Sequence, residues 1–362
     1  MPPDRRATRQ ASLRAALESE GLDGLLVTHL PNIRYLTGFT GSAALLLIRA
    51  DASVLISDFR YAEQALVEVG AAATVEIDQR SVWERLGRML AGRPVGRLGV
   101  EAQSLTVRDA ERVSGLTRGR VLPTSDLVES LRVVKSPEEV AAIRDAAALA
   151  QEALAEVLPT VRPGQTELEI GSALEAGLRR RGSEWHPFPT IVASGPRSAL
   201  PHARTSGRVI RAGELLLLDF GAQVNGYCAD LTRTVIVGAR ADDRQRTVYQ
   251  LVQAAQRRAI EHLRPGMPAR EADALARDVI ATSGFGEAFG HSLGHGLGLE
   301  VHEAPRLAPT SDTPLPEHAV VTVEPGIYFP GWGGVRIEDD VYLGSSGTEC
   351  LSDGRTELVE LV

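Results

Sequence analysis

A strand, a tight turn and a second strand are encoded by residues 215–237, LLLLDFGAQVNGYCADLTRTVIV. The four leucines before Asp219 are typical of a buried strand, and the β-branched run after Asp230 is typical of its partner. The Asn-Gly pair between them is the best two-residue hairpin turn, because both residues tolerate positive φ. In that register Asp219 faces Thr232, and Asp230 is its diagonal neighbour on the same face. The segment therefore predicts a hairpin that presents two carboxylates together.

Two unrelated surface aspartates are the alternative interpretation of this segment. Asp219, however, directly follows four leucines, where an unpaired buried carboxylate would be costly. Diagonal Cβ atoms of paired strands lie about 7–8 Å apart or somewhat closer, so two carboxylates there can reach shared ions. We therefore favour a metal site.

Three of the eight histidines fall within residues 290–302, GHSLGHGLGLEVH. The glycines of this stretch disfavour a helix and allow the backbone to approach a ligand closely. The GxGxxG and Walker patterns of phosphate loops are absent, and so is the HExxH pattern of thermolysin-type zinc sites. The clustering of His291, His295 and His302 favours a functional site over a structural role for each histidine.

Two further carboxylates lie near strand ends. Glu324 follows an apolar run and precedes a Pro-Gly stop, while Glu338 shares a strand face with Arg336. A solvated edge strand is an equal alternative for the latter segment. Four carboxylates and one imidazole make a hard, oxygen-rich ligand set, which suits a pair of divalent cations better than one structural zinc. The set consists of Asp219, Asp230, His295, Glu324 and Glu338.

Composition narrows the class of protein. A chain of 362 residues is long enough for two domains with their own cores. The formal net charge of −8 argues against nucleic acid or an anionic membrane as the main partner. Cys228 and Cys350 have no paired spacing, which predicts a reducing compartment without a disulfide framework. No signal-peptide core or membrane-length apolar run is visible, so we expect a cytoplasmic protein.

Alternating helical and strand patterns predict a small α/β domain in the first third of the chain. The expected helices cover residues 10–20, 60–69 and 81–91, and the expected strands cover residues 24–27, 43–48, 53–56 and 98–100. A capping box from Ser136 to Glu139, with Pro137 in the first turn, begins the next helix. We place a domain boundary before it, between residues 1–128 and 129–362.

The second domain contains an internal repeat. Residues 161–164, VRPG, recur as 263–266, LRPG, at an offset of 102, which also pairs two glutamines, two glutamates and two glycines. Chance matching of helix-stop signals is the alternative, since Pro and Gly are common there. Several matches at one offset favour duplication of an α/β unit, with the site between its halves.

Taken together, these segments resemble the pita-bread metallopeptidases, in the Xaa-Pro branch that contains aminopeptidase P and prolidase. The matching text is LDFG at 218–221, DLTRT at 230–234, GHGLG at 294–298, VHE at 301–303, VEPGIY at 323–328 and RIED at 336–339. Residues 32–39, NIRYLTGF, resemble the N-terminal domain of that family. The resemblance implies an α/β (α+β) architecture: a creatinase-like α/β domain followed by a pita-bread catalytic domain with a pseudo-twofold repeat. It also implies a homodimer.

The resemblance assigns a role to each candidate ligand. Asp219 chelates one metal ion, Asp230 and Glu338 bridge both ions, and His295 with Glu324 completes the second. Manganese is the expected metal, with cobalt or zinc as alternatives. Glu324 is also the expected general base, taking a proton from water and passing it to the leaving nitrogen.

Other residues are expected around the substrate. His302 stabilises the developing oxyanion, and His202, in the ALPH stretch before Asp219, resembles a second substrate histidine. A loop histidine after proline is the alternative for His202. Arg336 would orient a ligand carboxylate. The remaining residues expected to bind substrate or to support the ligands from behind are His291, Arg306 and Tyr328.

The sequence leaves the specificity open between two peptidases that act on short proline-containing peptides. We expect an Xaa-Pro aminopeptidase, with an Xaa-Pro dipeptidase (prolidase) as the alternative. A dipeptidase needs a cation for the substrate's C-terminal carboxylate. Arg306 resembles a residue that serves this purpose in some prolidases, and a solvated loop arginine is an equal alternative. A non-catalytic peptide-binding protein or a metal-free enzyme such as creatinase fits less well, because all five ligands are intact. Methionine aminopeptidase lacks the N-terminal domain.

Overall fold

The computed structural model of the protein describes residues 5–352 and 355–362. Two compact units divide the chain, Met1–Arg132 and Val133–Val362. This division lies a few residues after position 128, where the sequence placed a domain boundary. Within the described ranges, no helix combines the length and apolar character needed to cross a bilayer.

The first unit is a six-stranded mixed sheet with helices. Its helices are α1 (Arg6–Ser19), α2 (Leu30–Thr37), α3 (Ala62–Val69), α4 (Val82–Gly92), α5 (Val107–Leu116) and α6 (Glu129–Val133). Its strands are β1 (Gly24–Val27), β2 (Ala44–Arg49), β3 (Ser53–Asp58), β4 (Thr74–Asp78), β5 (Arg97–Glu101) and β6 (Arg120–Thr124). The strand order is β4-β3-β2-β1-β5-β6, with antiparallel pairs in the centre and parallel pairs at both flanks.

The α/β character predicted for this unit is confirmed, with shifts at element ends. Helix α1 begins at Arg6, four residues before the expected start. The helix expected from residue 60 begins as a 3-10 turn, Phe59–Tyr61, because Asp58 caps it through the backbone N–H of Arg60. Helix α2 was not expected from periodicity; a proline in its first turn starts it, and Gly38 ends it in the left-handed region.

The second unit contains two pairs of helices and several sheets. Its helices are α7 (Pro137–Val157), α8 (Glu167–Arg180), α9 (Asp243–His262) and α10 (Ala269–Thr282). Its strands are β7 (Ile191–Ser194), β8 (Leu215–Phe220), β9 (Gln223–Val224), β10 (Tyr227–Cys228), β11 (Leu231–Val237), β12 (Gly294–Gly296), β13 (Glu303–Leu307), β14 (Val320–Val323), β15 (Gly326–Phe329), β16 (Gly333–Arg336), β17 (Asp339–Gly344), β18 (Gly347–Cys350) and β19 (Val359–Leu361). The larger sheets have the orders β19-β11-β8-β7 and β13-β12-β14-β17-β18. As predicted, Ser136 caps α7 in a capping box.

The hairpin register predicted from residues 215–237 is confirmed. Asp219 on β8 pairs with Thr232 on β11, and the turn residues Asn225 and Gly226 have φ values of 50° and 79°. Positive φ at both positions is the geometry that an Asn-Gly turn provides without strain. The same register places Asp230, which directly precedes β11, diagonally across from Asp219.

All residues of β8 are buried, and the two clusters into which their side chains pack decide which way Asp219 points. Leu216 and Leu218 pack in a buried cluster with residues of α7 and α8. Leu215, on the other face, packs in a cluster with residues of α9 and α10. Because side chains alternate along a strand, Asp219 lies on the face of Leu215, away from the α7–α8 pair.

The predicted internal repeat is present in the structure. The turns after α7 and α9 contain Gly164 and Gly266, whose φ values are 97° and 81°. Isolated backbone bridges at the starts of α8 and α10, Thr166 with Val209 and Pro268 with Pro314, also correspond. These positive φ values explain why the glycine recurs in each half.

The repeat extends into the sheets. Ser194 on β7 pairs with Leu216, as Gly296 on β12 pairs with Val321. Strands β7 and β12 therefore correspond at the offset of 102. Strands β8 and β14 correspond at a different offset, because residue 216 is equivalent to residue 321. The same correspondence equates Asp219 with Glu324, so each half contributes a carboxylate from an equivalent position.

Candidate metal centre

A cavity of about 860 Å³ opens in the second unit. Ten of the side chains selected from the sequence line it: His202, Asp219, Asp230, His291, His295, His302, Arg306, Glu324, Arg336 and Glu338. Tyr328 is different, because it lies buried behind the wall, where its hydroxyl contacts Arg336 and His291. The structure thus brings together segments more than a hundred residues apart in sequence.

An imidazole and three carboxylates form the centre of this site. His295 Nε2 lies 3.4 Å from Glu324 Oε1 and 3.9 Å from Asp230 Oδ2. Ligand atoms of Asp230, His295 and Glu338 all lie within 4.8 Å of one another. His295 Nδ1 lies 3.0 Å from the carbonyl oxygen of Gly296, so this nitrogen carries the proton. The lone pair of Nε2 is therefore directed at the carboxylates.

Two carboxylate oxygens in this centre lack a hydrogen-bond partner among the described residues. They are Asp230 Oδ1 and Glu338 Oε1, and both are buried. A buried polar atom without a partner is costly, and an unpaired buried carboxylate is more so. Divalent cations would satisfy these oxygens, so the residues present fit a metal site.

Electrostatics support the same conclusion. Burial, then the neighbouring Glu338 carboxylate, raise the pKa of Asp230 well above its ordinary value. Burial also raises the pKa of Glu324 to about 7, against the opposing effect of Arg336. Burial and the nearby His302 lower the pKa of His295 to about 4. Without cations the acidic cluster binds protons, and positive ions would take their place.

Arg336 holds one edge of the centre in place. Its Nη2 donates to the carboxylate of Asp219, its Nε donates to Thr232 Oγ1 at 3.1 Å, and its Nη1 donates to Tyr328 OH at 2.9 Å. The guanidinium is buried, so these fixed donors determine the orientation of the Asp219 side chain. The contact supports an orienting role for Arg336, which stays a prediction.

Two threonines that the sequence analysis did not select hold candidate ligands in place. Thr232 donates its hydroxyl to the carboxylate of Glu338. Thr322 donates to Glu324 Oε1 at 3.2 Å and accepts the backbone N–H of His295 at 3.1 Å. A period-two signal for Thr322 was available, because it lies two residues before Glu324 and so on the same strand face.

Asp340 was also missed. Its Oδ2 accepts the backbone N–H of Asp230 at 3.1 Å, and it is fully buried. Burial and the adjacent Asp339 raise the pKa of Asp340 well above its ordinary value, although the Asp230 N–H opposes this. The two aspartates are 110 residues apart, so no local pattern identifies the contact.

Three further histidines line the cavity, of which one is held by hydrogen bonds and two are exposed. His291 Nδ1 donates to the carbonyl of Ser292 at 2.8 Å, so its Nε2 accepts from Tyr328 OH at 3.1 Å. Burial lowers the pKa of His291 to about 4, which keeps it neutral within the wall. His202 and His302 are exposed to the cavity, and the His302 ring lies 4.4 Å from that of His295. These two are free to meet a substrate.

Known families match both parts of the chain. Residues 141–345 match the sequence model of Metallopeptidase family M24, and residues 9–134 match that of the Creatinase/Prolidase N-terminal domain. The chain belongs to metallopeptidase family M24. As a member, it is a metallopeptidase whose fold, predicted as a creatinase-like domain followed by a pita-bread domain, is confirmed. The family implies divalent metal ions.

Relatives of this M24 metallopeptidase have solved structures. A structure described as Xaa-Pro dipeptidase from Bacillus anthracis is 41% identical with a TM-score of 0.95, covering 98% of this chain and 100% of the other. An X-Pro aminopeptidase from Thermotoga maritima MSB8 is 36% identical with a TM-score of 0.89, covering 97% and 99%. In sequence, the Xaa-Pro dipeptidase of Pyrococcus horikoshii is 34% identical over 348 residues, or 95% of this chain and 96% of the relative.

Proposed function

We propose that this metallopeptidase is an Xaa-Pro dipeptidase, which hydrolyses the bond between a residue and a C-terminal proline. The observation that carries the proposal is one cavity that contains both the buried acidic centre and the exposed Arg306. Relatives named Xaa-Pro dipeptidase support it further. The sequence alone favoured the aminopeptidase, and these observations favour its alternative.

A proline substrate explains why a dedicated enzyme is needed. The prolyl nitrogen has no N–H, so proteases that bind their substrates by strand pairing lose a hydrogen bond. In this cavity the wall beside β7 contains Phe188, Pro189 and Ile191, which offer apolar contact to a ring. A site of this kind recognises proline by shape and does not need the missing donor.

Two divalent cations would be held by the side chains at the base of the cavity. The proposed ligands are Asp219, Asp230, His295, Glu324 and Glu338. Manganese suits this oxygen-rich set best, and cobalt and zinc are compatible with it. When bound, such cations polarise the scissile carbonyl and lower the pKa of water.

The chain's own residues supply the proton transfers and substrate contacts. Glu324, a carboxylate at the proposed centre, would accept the proton of the attacking water and deliver it to the prolyl nitrogen. His302, which is exposed to the cavity, would offer an N–H to the carbonyl oxygen. His202, on the neighbouring wall of the cavity, contacts the substrate beside it.

A peptide panel tests the specificity. The purified protein is stripped with chelator, reloaded with Mn²⁺ and given Ala-Pro, Ala-Pro-Ala and a longer Ala-Pro peptide. We expect Ala-Pro to be cleaved with a kcat/KM at least about tenfold above that of the longer peptides, because one charge-assisted contact contributes about that factor. The Asp230→Ala variant should be inactive. Cleavage of the longer peptides with no preference for Ala-Pro would instead assign an Xaa-Pro aminopeptidase, which the similarity to the Thermotoga structure keeps in consideration.

Two further expectations from the sequence stay predictions. We propose that the protein is a homodimer and that it works in the cytoplasm on short proline-containing peptides. Light scattering of the purified protein would measure its oligomeric state, and cell fractionation would identify its compartment. A monomer at micromolar concentration would contradict the dimer.

A further inference from the structure

Arg204 and Arg306 occupy equivalent positions in the two halves of the repeat. Val192 on β7 corresponds to Gly294 on β12, 102 residues later. In the first half, the backbone N–H of Val192 donates to the Thr205 hydroxyl at 2.8 Å. In the second half, Gly294 pairs with the residue after Arg306. Thr205 and residue 307 are again 102 apart, so the arginines that precede them correspond.

Both arginines line the cavity, and both are exposed. Arg306 uses Nε to donate to Ser292 Oγ at 3.0 Å, which leaves its two terminal nitrogens available. Within residues 5–352 and 355–362, no hydrogen bond or ion pair engages the Arg204 guanidinium. Two guanidinium groups therefore face the same solvent-filled space.

The backbone that carries Arg204 is held rigidly by a buried carboxylate. Glu167, at the start of α8, is fully buried and accepts from Ser206 N at 3.1 Å, Ser194 N at 2.9 Å and Arg197 Nε at 3.1 Å. Arg197 in turn donates to the carbonyl oxygen of Arg204. An arginine on a fixed loop loses less conformational freedom when it binds a ligand, which is the physical advantage of a preorganised site.

The charges of the cavity leave an excess of positive charge at its open part. Arg336 neutralises Asp219, and Lys135 pairs with Glu303. The other carboxylates of the centre face the proposed cations. Among the remaining charged side chains that line the cavity, Arg204 and Arg306 are cationic and Glu175 is anionic. A small anionic group is the ligand that this arrangement selects.

We propose that Arg204 is a specificity-determining residue that, together with Arg306, binds the C-terminal carboxylate of the substrate. This inference rests on the proposed dipeptidase function and deepens it. The duplicated unit supplies one arginine from each half, and the two guanidinium groups share one carboxylate. A peptide extended beyond proline carries no carboxylate at that position and leaves both cations without an anion.

A comparison of a charged and an uncharged substrate tests the proposal. KM and kcat of the Mn²⁺-loaded wild type, Arg204→Ala and Arg204→Lys are measured for Ala-Pro and for its amide, Ala-prolinamide. We expect Arg204→Ala to raise KM for Ala-Pro by about 10- to 100-fold, the range for a charge-assisted hydrogen bond, and to leave the amide unchanged. Lysine should restore part of the loss. The matched control is Arg211→Ala, which removes an exposed arginine outside the cavity.

The double variant Arg204→Ala/Arg306→Ala measures whether the two residues share one ligand. If both arginines bind one carboxylate, the fold-increase in KM for Ala-Pro in the double variant should differ from the product of the fold-increases in the single variants. Equal effects of Arg204→Ala on Ala-Pro and on the amide, or no effect on either, would overturn the proposal while the dipeptidase function stands. A wild type that cleaves longer peptides but not Ala-Pro would overturn both, and that failure is visible without any variant.

Discussion

The Thr232 hydroxyl donates a hydrogen bond to the carboxylate of Glu338, and the backbone N–H of Glu338 returns one to the Thr232 carbonyl at 3.1 Å. The pair joins β11 to the segment between β16 and β17. It also leaves the other oxygen of Glu338, Oε1, without a partner among the described residues. One oxygen of this carboxylate is therefore fixed by the protein, and the other is directed at the proposed cations.

Replacing Thr232 with valine should weaken metal binding. The substitution keeps the shape but removes the donor to Glu338 and the acceptor for Arg336 Nε. Loss of a group that orients a ligand typically lowers metal affinity by about 10- to 100-fold. Titration calorimetry with Mn²⁺ measures the change. Thr232→Ser retains the hydroxyl and is the matched control, and an unchanged affinity in the valine variant would show that the hydroxyl has no such role.

Replacing Asp230 with asparagine should have opposite effects with and without metal. In the metal-free protein it removes a buried carboxyl whose raised pKa disfavours folding at high pH, so the free energy of unfolding at pH 8 should rise by about 1 kcal/mol or more. With Mn²⁺ present, the variant should lose most of the stabilisation that metal gives to the wild type. Urea denaturation in chelator and in Mn²⁺ gives both values. A variant less stable than wild type in both conditions would contradict the electrostatic argument.

The raised pKa of Glu324 should make the metal-free protein lose stability as the pH rises to 7. Glu324 has a folded-state pKa of about 7 against an ordinary value of 4.5. Between these values the folded state binds more protons than the unfolded state, so the stability present below pH 4.5 is lost as the pH rises to 7. Burial raises the pKa values of Asp230 and Glu338 too, which adds to this loss.

The buried histidines act in the opposite direction at lower pH. The pKa values of His291 and His295 fall from 6.5 to about 4. Their contribution is therefore complete above pH 6.5 and lost as the pH falls to 4. Above pH 6.5 only the carboxylate effect remains, so thermal unfolding in chelator should show a decline between pH 6.5 and 7. Mn²⁺ should abolish this decline and release protons, detectable by calorimetry in buffers of different ionisation enthalpy; no proton release at pH 6.5 would contradict the assignment.

The buried ion pair between Lys135 and Glu303 should be needed for stability. Their side chains are 1% and 6% exposed, and Lys135 Nζ lies 3.2 Å from Glu303 Oε2. Replacing Lys135 with methionine leaves the carboxylate buried beside His302 without this cation, which typically costs about 3–5 kcal/mol. Urea denaturation measures the loss. The double variant Lys135→Met/Glu303→Met should recover much of it, and equal losses in the single and double variants would argue against an electrostatic cause.

Local chemistry made the central hairpin predictable. The Asn-Gly turn fixes the register between β8 and β11, and the register fixes which face carries Asp219. The capping box at Ser136 and the repeated Pro-Gly breaks are local signals of the same kind. All five proposed ligands were identified because each stands next to a strand or a glycine-rich stretch with a clear pattern.

The supporting contacts could not be predicted, because they join distant parts of the chain. Lys135 meets Glu303 across 168 residues, and Arg336 meets Asp219 across 117. No periodicity relates such pairs, and their charges alone are typical of a solvated surface. The position of Tyr328 shows the same limit: the sequence left open whether it binds substrate or supports the ligands, and only the packing places the phenol behind Arg336.

The two halves of the repeat share a fold but differ in the side chains at equivalent positions. Where the second half has His295 on β12, the equivalent position on β7 is Ala193, 102 residues earlier. An ion near Glu324 would meet the His295 nitrogen, which lies 3.4 Å from that carboxylate, whereas β7 would offer no equivalent nitrogen to an ion near Asp219. Borderline metals such as zinc favour the nitrogen-containing position, so loading should proceed in two steps of unequal affinity, with the asymmetry arising from a single side chain.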